Sequence, residues 1–230
     1  MNGLKILPQN ENPYQSARYL LAKGHTRIAY ISPVHADAWS KSRCAGMRSV
    51  IAQAGGGYSL SECTLERSGK EGRTYSTMGR EHTRAAIFEK QFAQWQARAP
   101  AVCRVDIEAL RTAGLPWLFT TIGYRIALYS LLDKAAADRS ITAWAMAFDL
   151  PAHMACQYCR ERKIDVPESL AIVSFDDTEI ARLMRITSYN YNFAGVASTI
   201  LHYLLQSTSG FWSQRRVVEI AGKVVERVTG

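Results

Sequence analysis

Hydrophobic residues follow two patterns that alternate along this 230-residue chain. Short, continuous runs of β-branched and aromatic residues, such as Arg27–Ser32, are typical of strands buried on both faces of a parallel sheet. Between these runs, apolar residues recur at the three- and four-residue spacing of a helix, as in Trp39–Ala54. Strand followed by helix, repeated, predicts an α/β fold with a parallel sheet flanked by helices.

Turn-forming residues set the bounds of these elements. Asn12 followed by Pro13 favours the start of a helix, and Gly24 stands where a left-handed residue ends one. Residues 68–123 are the hardest to interpret, and we treat them as an insertion. The predicted helices are Pro13–Lys23, Trp39–Ala54, Tyr124–Ala136, Pro151–Lys163 and Ala194–Leu205, and the predicted strands are Arg27–Ser32, Cys63–Arg67, Ile141–Ala147, Leu170–Ser174, Val217–Ile220 and Val224–Val228.

The composition is that of a globular protein, with 47% hydrophobic and 21% charged residues. Because no long uncharged apolar run occurs and Met1–Asn12 lacks the features of a signal peptide, we expect a cytoplasmic protein without membrane spans. Five cysteines, an odd number, indicate reduced thiols instead of a disulfide framework. The formal net charge of +8 raises the chance of a nucleic-acid partner, although the basic residues are scattered.

Several ordered blocks of the sequence resemble the LacI/GalR family of transcriptional regulators. The segment GHTRIAYI is similar to a strand of that family, and the segment TAWAMAFD is similar to its TA…ND..A block. The family's blocks are matched, in chain order, by Gly24–Ile31, Arg43 with Gly46 and Met47, Thr142–Asp149 with Ala152, Val166–Asp177, Ile186–Asn192 and Gly222–Arg227. Together these matches cover most of residues 12–67 and 124–228.

The resemblance implies a periplasmic-binding-protein-like fold of type I, which has two subdomains on either side of a ligand cleft. It implies that residues 1–23 and 177–206 belong to the N-terminal subdomain. Residues 24–176, with the insertion at about 68–123, and the closing strands in 207–230 would form the C-terminal one. The chain would then cross a hinge near Gly24 and again near Asp176 and Asp177.

The family pattern also has a helix-turn-helix and further strand–helix units before the position of Asn12, whereas eleven residues precede it here. We therefore expect the fold to be incomplete at its N-terminus and one wall of the effector cleft to be missing. By itself, this chain should bind any effector weakly or not at all.

Two charged residues are the main candidates for ligand contact. Arg43 falls in the first turns of a helix beside the expected cleft, where a planar guanidinium can hold two ligand oxygens. Asp149 closes a strand at its carboxyl end, where open α/β sheets bind ligands, although it could equally cap the next helix. Asn12, Trp39 and Phe148 are further candidates, with helix capping or simple core packing as their alternatives.

His153, Cys156 and Cys159 form an H-x-x-C-x-x-C spacing that could ligate zinc or cycle as a dithiol. The alternative is that small thiols pack the inward face of a helix. Basic residues early in the insertion could contact phosphates, but acidic residues between them favour a solvated surface. These basic residues are Arg67, Lys70, Arg73, Arg80 and Arg84.

The sequence thus leaves three functional hypotheses. The leading one is the effector-sensing domain of a LacI/GalR-type regulator, which binds a sugar-like molecule, forms a homodimer and contacts DNA through a helix-turn-helix outside this chain. The second is a stand-alone or truncated sugar-binding protein without regulatory output. The third is a thiol- or zinc-dependent enzyme using Cys156 and Cys159. We expect no catalytic residues, cofactor or metal in the leading case.

Overall fold

A computed structural model describes residues 5–8, 12–65, 116–205 and 217–230 of the chain. In chain order the described elements are β1 (Lys5–Pro8), α1 (Asn12–Ala22), β2 (Arg27–Ser32), α2 (Ala38–Gln53), β3 (Ser59–Thr64), α3 (Pro116–Ala137), β4 (Ala143–Met146), α4 (Asp149–Arg162), β5 (Ala171–Phe175), α5 (Glu179–Leu183), β6 (Thr187–Asn190), α6 (Phe193–Leu205), β7 (Val217–Ile220) and β8 (Lys223–Val225).

Six of these strands form the central sheet, in the order β3-β2-β4-β5-β6-β8. Neighbouring strands are parallel, except that β8 runs antiparallel to β6 at one edge. Strands β1 and β7 pair parallel in a separate two-stranded sheet. The predicted parallel α/β sheet flanked by helices is therefore confirmed.

The alternating side chains of β2 show how the sheet is covered. Ile28 and Tyr30 pack in a core with helices α1 and α2, whereas Ala29 and Ile31 pack in a second core with helices α3 and α4. This period of two places a hydrophobic layer on each face of the sheet. Both faces are consequently covered by helices, and the carboxyl ends of the parallel strands meet at one edge.

The bounds of some elements differ from the predictions. Strand β3 begins at Ser59 and not Cys63, because the backbone pairs with β2 from Arg27 onward. Helix α3 begins at Pro116, so the last eight residues of the predicted insertion 68–123 are helical. Strand β1 and the short helix α5 were not among the predicted elements. Strand β6 was not predicted by the hydrophobic pattern, but it lies in Ile186–Asn192, which the resemblance matched to a strand of the family.

The predicted division into subdomains stays a prediction, and segments assigned to both predicted subdomains are in contact in the structure. Helix α1, in segment 1–23, shares a core with β2 and α2 through Ala17 and Leu20. Strand β6, in segment 177–206, hydrogen-bonds to β5 within the central sheet. Of the closing strands in 207–230, β8 belongs to that sheet and β7 does not.

Among the described residues, no helix combines the length and hydrophobicity needed to cross a bilayer.

Candidate functional site

Two side chains of α2, one aromatic and one cationic, lie at the edge of the sheet where the parallel strands end. Trp39 and Arg43 are four residues apart, so they lie on the same face of the helix. The Arg43 guanidinium lies 4.7 Å from the centroid of the Trp39 ring. Helix α2 therefore presents a planar cation and an indole side by side at the carboxyl edge of the sheet.

Hydrogen bonds fix the position of the Arg43 guanidinium. Its Nη1 donates to the carbonyl oxygen of Ala147, just after β4, at 2.6 Å. Its Nη2 donates to Oδ1 of Asp176, just after β5, at 2.6 Å. The side chains of Arg43 and Asp176 are 13% and 28% exposed, so both remain within reach of a small molecule.

Aromatic rings surround this ion pair. The Arg43 guanidinium carbon also lies 5.1 Å from the ring centroid of Phe175 and 5.2 Å from that of Tyr191. The Phe148 ring meets the Trp39 ring edge-on, with the centroids 5.7 Å apart. We call Trp39, Arg43, Phe148, Asp176 and Tyr191 the edge cluster. It combines one cation, one carboxylate and aromatic faces, the usual composition of a site for a polar ligand.

A buried hydroxyl network holds the first turn of α2 in place. Ser40 Oγ lies 2.7 Å from Ser32 Oγ and 3.0 Å from the Tyr30 hydroxyl. Tyr30 also donates to the Ser40 carbonyl oxygen, and His35 Nδ1 lies 3.2 Å from Ser40 Oγ. Since Ser40 lies between Trp39 and Arg43, these bonds fix the angle at which both side chains extend over the sheet edge.

Burial governs the acid–base behaviour of the edge cluster. It raises the pKa of Asp176 above its ordinary value of 3.8, and the nearby Asp149 carboxylate adds to this, while Arg43 opposes it. Burial also raises the pKa of Tyr191 to about 12, against the opposing effect of Arg43. Tyr191 is therefore a neutral phenol at pH 7, able to donate a hydrogen bond.

Asp149 lies beside this cluster, with a different set of partners. It is the first residue of α4, and only 1% of it is exposed. Its Oδ1 accepts hydrogen bonds from the hydroxyls of Ser174 and Ser188, and its Oδ2 accepts from the backbone N–H and hydroxyl of Thr178. These four bonds tie α4 to β5, β6 and the start of α5. Direct ligand contact by Asp149 stays a prediction.

The three predicted hinge residues have backbone conformations suited to turns. Gly24 follows α1 with a φ of +89°, and Asp176 and Asp177 have φ values of +100° and +48°. Asp177 is buried, and its carboxylate accepts from Arg227 and Asn190, both at 2.6 Å. These contacts join the loop after β5 to β6 and to the last residues of the chain. A hinge function for the three residues stays a prediction.

Other predicted positions fall in different places. Asn12 begins α1, but its side chain and residues 66–115, which hold the basic group from Arg67 to Arg84, lie outside the described residues. The His153 imidazole lies 3.1 Å from the Gln157 side-chain amide. Burial raises the pKa of the Cys156 thiol to about 11 and that of Cys159 to about 12, which disfavours a reactive thiolate.

Sequence reasoning did not identify Tyr191 or Phe175 as site residues, and it assigned Asp176 only to a hinge. Asp176 follows β5 just as Asp149 follows β4, so the strand-end rule used for Asp149 also applies to it. The hydrophobic pattern could not identify Tyr191, because it did not predict β6; only the resemblance matched this segment to a strand.

Comparison with known proteins places the fold. The periplasmic binding protein-like domain family matches residues 80–229. No curated protein matches the chain. Among solved structures, the transcriptional regulator CelR in complex with cellobiose is 19% identical, with a TM-score of 0.54, and the match covers 99% of this chain and 54% of that one.

Two further solved structures have the same fold. A periplasmic binding protein/LacI transcriptional regulator from Alkaliphilus metalliredigens, in complex with D-xylulofuranose, is 14% identical, with a TM-score of 0.54 and coverage of 99% of this chain and 66% of that one. A dimeric Lac repressor with a C-terminal deletion is 17% identical, with a TM-score of 0.55 and coverage of 97% and 63%. The chain thus spans about half to two thirds of the length of these proteins.

Proposed function

This chain belongs to the periplasmic binding protein-like domain family, and from that premise we propose that it is the effector-sensing part of a LacI/GalR-type transcriptional regulator. The effector is a sugar or a sugar derivative, and it binds at the edge cluster. The observation that carries the proposal is the partly exposed Arg43–Asp176 ion pair, which lies among aromatic rings at the carboxyl edge of a parallel sheet.

The edge cluster has the groups that a sugar requires. Arg43 donates N–H bonds to ring or hydroxyl oxygens, and Asp176 accepts from hydroxyl groups. The Trp39 face, 39% exposed, packs against the apolar C–H surface of the ring. The solved complexes of similar fold contain cellobiose and D-xylulofuranose, which supports a carbohydrate as the ligand class.

The affinity of this chain alone should be low. A ligand must compete with the bonds that Arg43 already makes to Ala147 and Asp176, and the Asp149 acceptors already hold four donors. Shifting a two-state switch almost completely takes about 5.5 kcal/mol of differential affinity, and two charged groups hardly supply it. We therefore propose a dissociation constant near or above about 1 mM for a single sugar, which corresponds to about −4 kcal/mol.

Amide chemical shifts measured by NMR during sugar titrations test the site. Cellobiose and xylulose should shift the signals of Trp39, Arg43, Asp176 and Tyr191. The Arg43→Lys variant keeps the charge but loses the two-oxygen fork, so its shifts should be smaller. Arg48→Lys, five residues further along α2 at an exposed position, is the matched control and should behave as the parent.

The outcomes separate two claims. Shift changes located away from the edge cluster, or unchanged in Arg43→Lys, would contradict the proposed site. Micromolar binding of a monosaccharide by this chain would leave the site in place but contradict the expected low affinity.

We also propose that the intact regulator is a homodimer, as the Lac repressor of similar fold is described as dimeric. Support comes from α6, none of whose residues is buried in this chain. Its exposed leucines Leu201, Leu204 and Leu205 offer an apolar surface to a second copy. Sedimentation velocity should show self-association that Leu204→Glu weakens. Leu183→Glu, at an exposed residue of α5, serves as the control. A monomeric parent at high concentration would contradict this assignment.

A further inference from the structure

We propose that His35, Cys44 and Glu62 form a binding site for a zinc ion. One ligand atom from each side chain lies within 4.8 Å of the other two. His35 is in the loop after β2, Cys44 is on α2, and Glu62 is on β3. The site is separate from the edge cluster and does not depend on the proposed sugar binding.

The three donor types favour zinc among common biological metals. Zinc binds imidazole nitrogen, thiolate sulfur and carboxylate oxygen in tetrahedral sites, whereas magnesium and calcium require sets of oxygen ligands. Three protein ligands leave a fourth position for water, as in zinc sites that remain open to solvent. The expected complex therefore has one sulfur, one nitrogen, one carboxylate oxygen and one water.

Only modest movement is needed to close the site. Tetrahedral zinc with bonds of about 2.0–2.3 Å places its ligand atoms roughly 3.5 Å apart, so the widest separation must shorten by about 1 Å. His35 and Cys44 are buried and held by the fold, whereas Glu62 lies on the edge strand β3 and is exposed. A rotation of the Glu62 side chain can supply the required movement.

The surroundings of His35 resemble those of a metal-ligating imidazole. Its Nδ1 lies 3.2 Å from Ser40 Oγ, in the network that also includes Tyr30. The Tyr30 ring meets the imidazole edge-on, with the centroids 6.0 Å apart. Hydrogen bonds of this kind orient the imidazole and are part of most histidine–metal sites.

The Arg48 guanidinium and the thiol proton of Cys44 both compete with the metal. Arg48 bonds Glu62 through Nε at 3.0 Å and also through Nη2, and zinc must replace this ion pair. Burial, reinforced by Glu62, raises the pKa of the Cys44 thiol to about 12. Zinc binding therefore breaks the S–H bond, forms the S–Zn bond and releases the proton to water.

The cysteine motif that the sequence singles out does not offer the same arrangement. Within the described part of the chain, the His35–Cys44–Glu62 group is the one in which three metal-ligating atoms of this kind meet. His153, Cys156 and Cys159 share a helix, yet the His153 imidazole pairs with Gln157. Three-dimensional contact, and not spacing along α4, thus identifies the candidate ligands.

Cobalt(II) titration of the full chain tests the site, because a thiolate ligand gives a sulfur-to-cobalt charge-transfer band. The parent should bind one ion with this band, and zinc should displace it. Cys44→Ser should lose the band, and Glu62→Gln should weaken cobalt and zinc binding more than tenfold, since even outer-shell changes weaken metal affinity 10–100-fold. Cys63→Ser is the matched control, because Cys63 is also buried and follows Glu62 but packs in the opposite core.

The Arg48→Met variant separates metal binding from a merely structural role of these residues, because only metal binding predicts a gain in zinc affinity. It frees Glu62 from a surface ion pair worth up to about 1 kcal/mol, so zinc affinity should rise by up to about fivefold. No cobalt binding by the parent, a charge-transfer band that survives in Cys44→Ser, or one lost in Cys63→Ser would each overturn the proposal. Should Cys44→Ser fail to fold, Glu62→Gln decides, because its side chain is exposed on an edge strand.

Discussion

Asp176 and Asp177 are adjacent carboxylates in different environments. Asp176 is partly exposed and bonds to Arg43 of the edge cluster, whereas Asp177 is buried and bonds to Arg227 and Asn190. Both residues have positive φ, which Asp and Asn adopt more readily than most other side chains. The pair therefore allows ligand binding and structural stability to be separated by substitutions at neighbouring positions.

We predict that Asp176→Asn weakens sugar binding but costs little stability at pH 7. The raised pKa of Asp176 means that burial of its carboxylate opposes folding more than Arg43 favours it. The folded protein binds this proton more tightly than the unfolded chain does, so the contribution of Asp176 to stability falls as pH rises from 3.8 through the raised pKa. Relative to Asp176→Asn, the parent should therefore become less stable over that range.

Urea unfolding of parent and Asp176→Asn at several acidic and neutral pH values measures this difference. NMR titration with cellobiose measures the loss of binding. A variant that is markedly less stable than the parent at pH 7 would show that Asp176 is mainly structural.

The adjacent substitution Asp177→Ala should instead destabilise the fold by about 3 kcal/mol. It leaves the largely buried Arg227 guanidinium without its carboxylate partner. It also places alanine at a φ of +48°, where a side chain without local hydrogen bonds is strained. The free energy of unfolding from urea titration checks this value, with Asp176→Asn as the matched control. Equal stabilities of the two variants would contradict the proposed division of roles.

At the level of elements, the antiparallel strand β8 closes one edge of the central sheet through a tight approach at Gly222. A Cβ atom built there would lie 2.2 Å from the Tyr189 hydroxyl oxygen and 2.3 Å from the Asn190 carbonyl oxygen. Tyr189 is buried and the carbonyl belongs to the backbone of β6, so neither can easily move. Glycine is required because β6 and the segment before β8 are in contact.

We therefore predict that Gly222→Ala loosens the pairing of β8 with β6 and destabilises the protein by about 1–3 kcal/mol, the usual cost of overpacking. Gly56→Ala is the control, because a Cβ atom at Gly56 meets nothing within 4 Å. Thermal unfolding gives the stability difference. Hydrogen exchange at Ser188 and Asn190 of β6, which pair with Val225 and Lys223 of β8, reports the loosened strand. Equal melting temperatures for the two variants would contradict the steric argument.

Much of the central sheet was predictable from periodicity, because strands such as β2, β4 and β5 are short apolar runs buried on both faces. Strand β6 was harder to predict from the hydrophobic pattern, since its sequence Thr187–Asn190 is mostly polar. Its threonine and its serine are nevertheless buried, with hydrogen bonds to Arg227 and Asp149. The candidate site was predictable only in part. Arg43, Trp39 and Phe148, all named from the sequence, lie in contact, and their binding of a ligand stays a prediction. The four donors that surround Asp149 come from later segments of the chain, which the sequence did not connect with it.

At the level of the whole molecule, charge provides a test of where DNA binding belongs. The chain has 28 Lys and Arg residues against 20 Asp and Glu residues, a net charge of +8. Some basic residues are paired with acidic ones, as in Arg48–Glu62, Arg125–Glu161 and Arg162–Asp133, and these pairs leave the net charge unchanged. The excess of eight positive charges should attract phosphates without selecting a base sequence.

We therefore predict that this chain binds duplex DNA weakly and with no sequence preference. Since such binding depends on release of counterions, the affinity should fall more than about tenfold between 50 and 200 mM salt. Fluorescence anisotropy with two unrelated duplexes of equal length measures both properties, and a neutral polymer of similar size controls for nonspecific effects. In the proposed regulator, specific DNA contacts come from another part of the protein. A tight complex with one duplex that persists at high salt would show that the recognition surface lies within this chain itself.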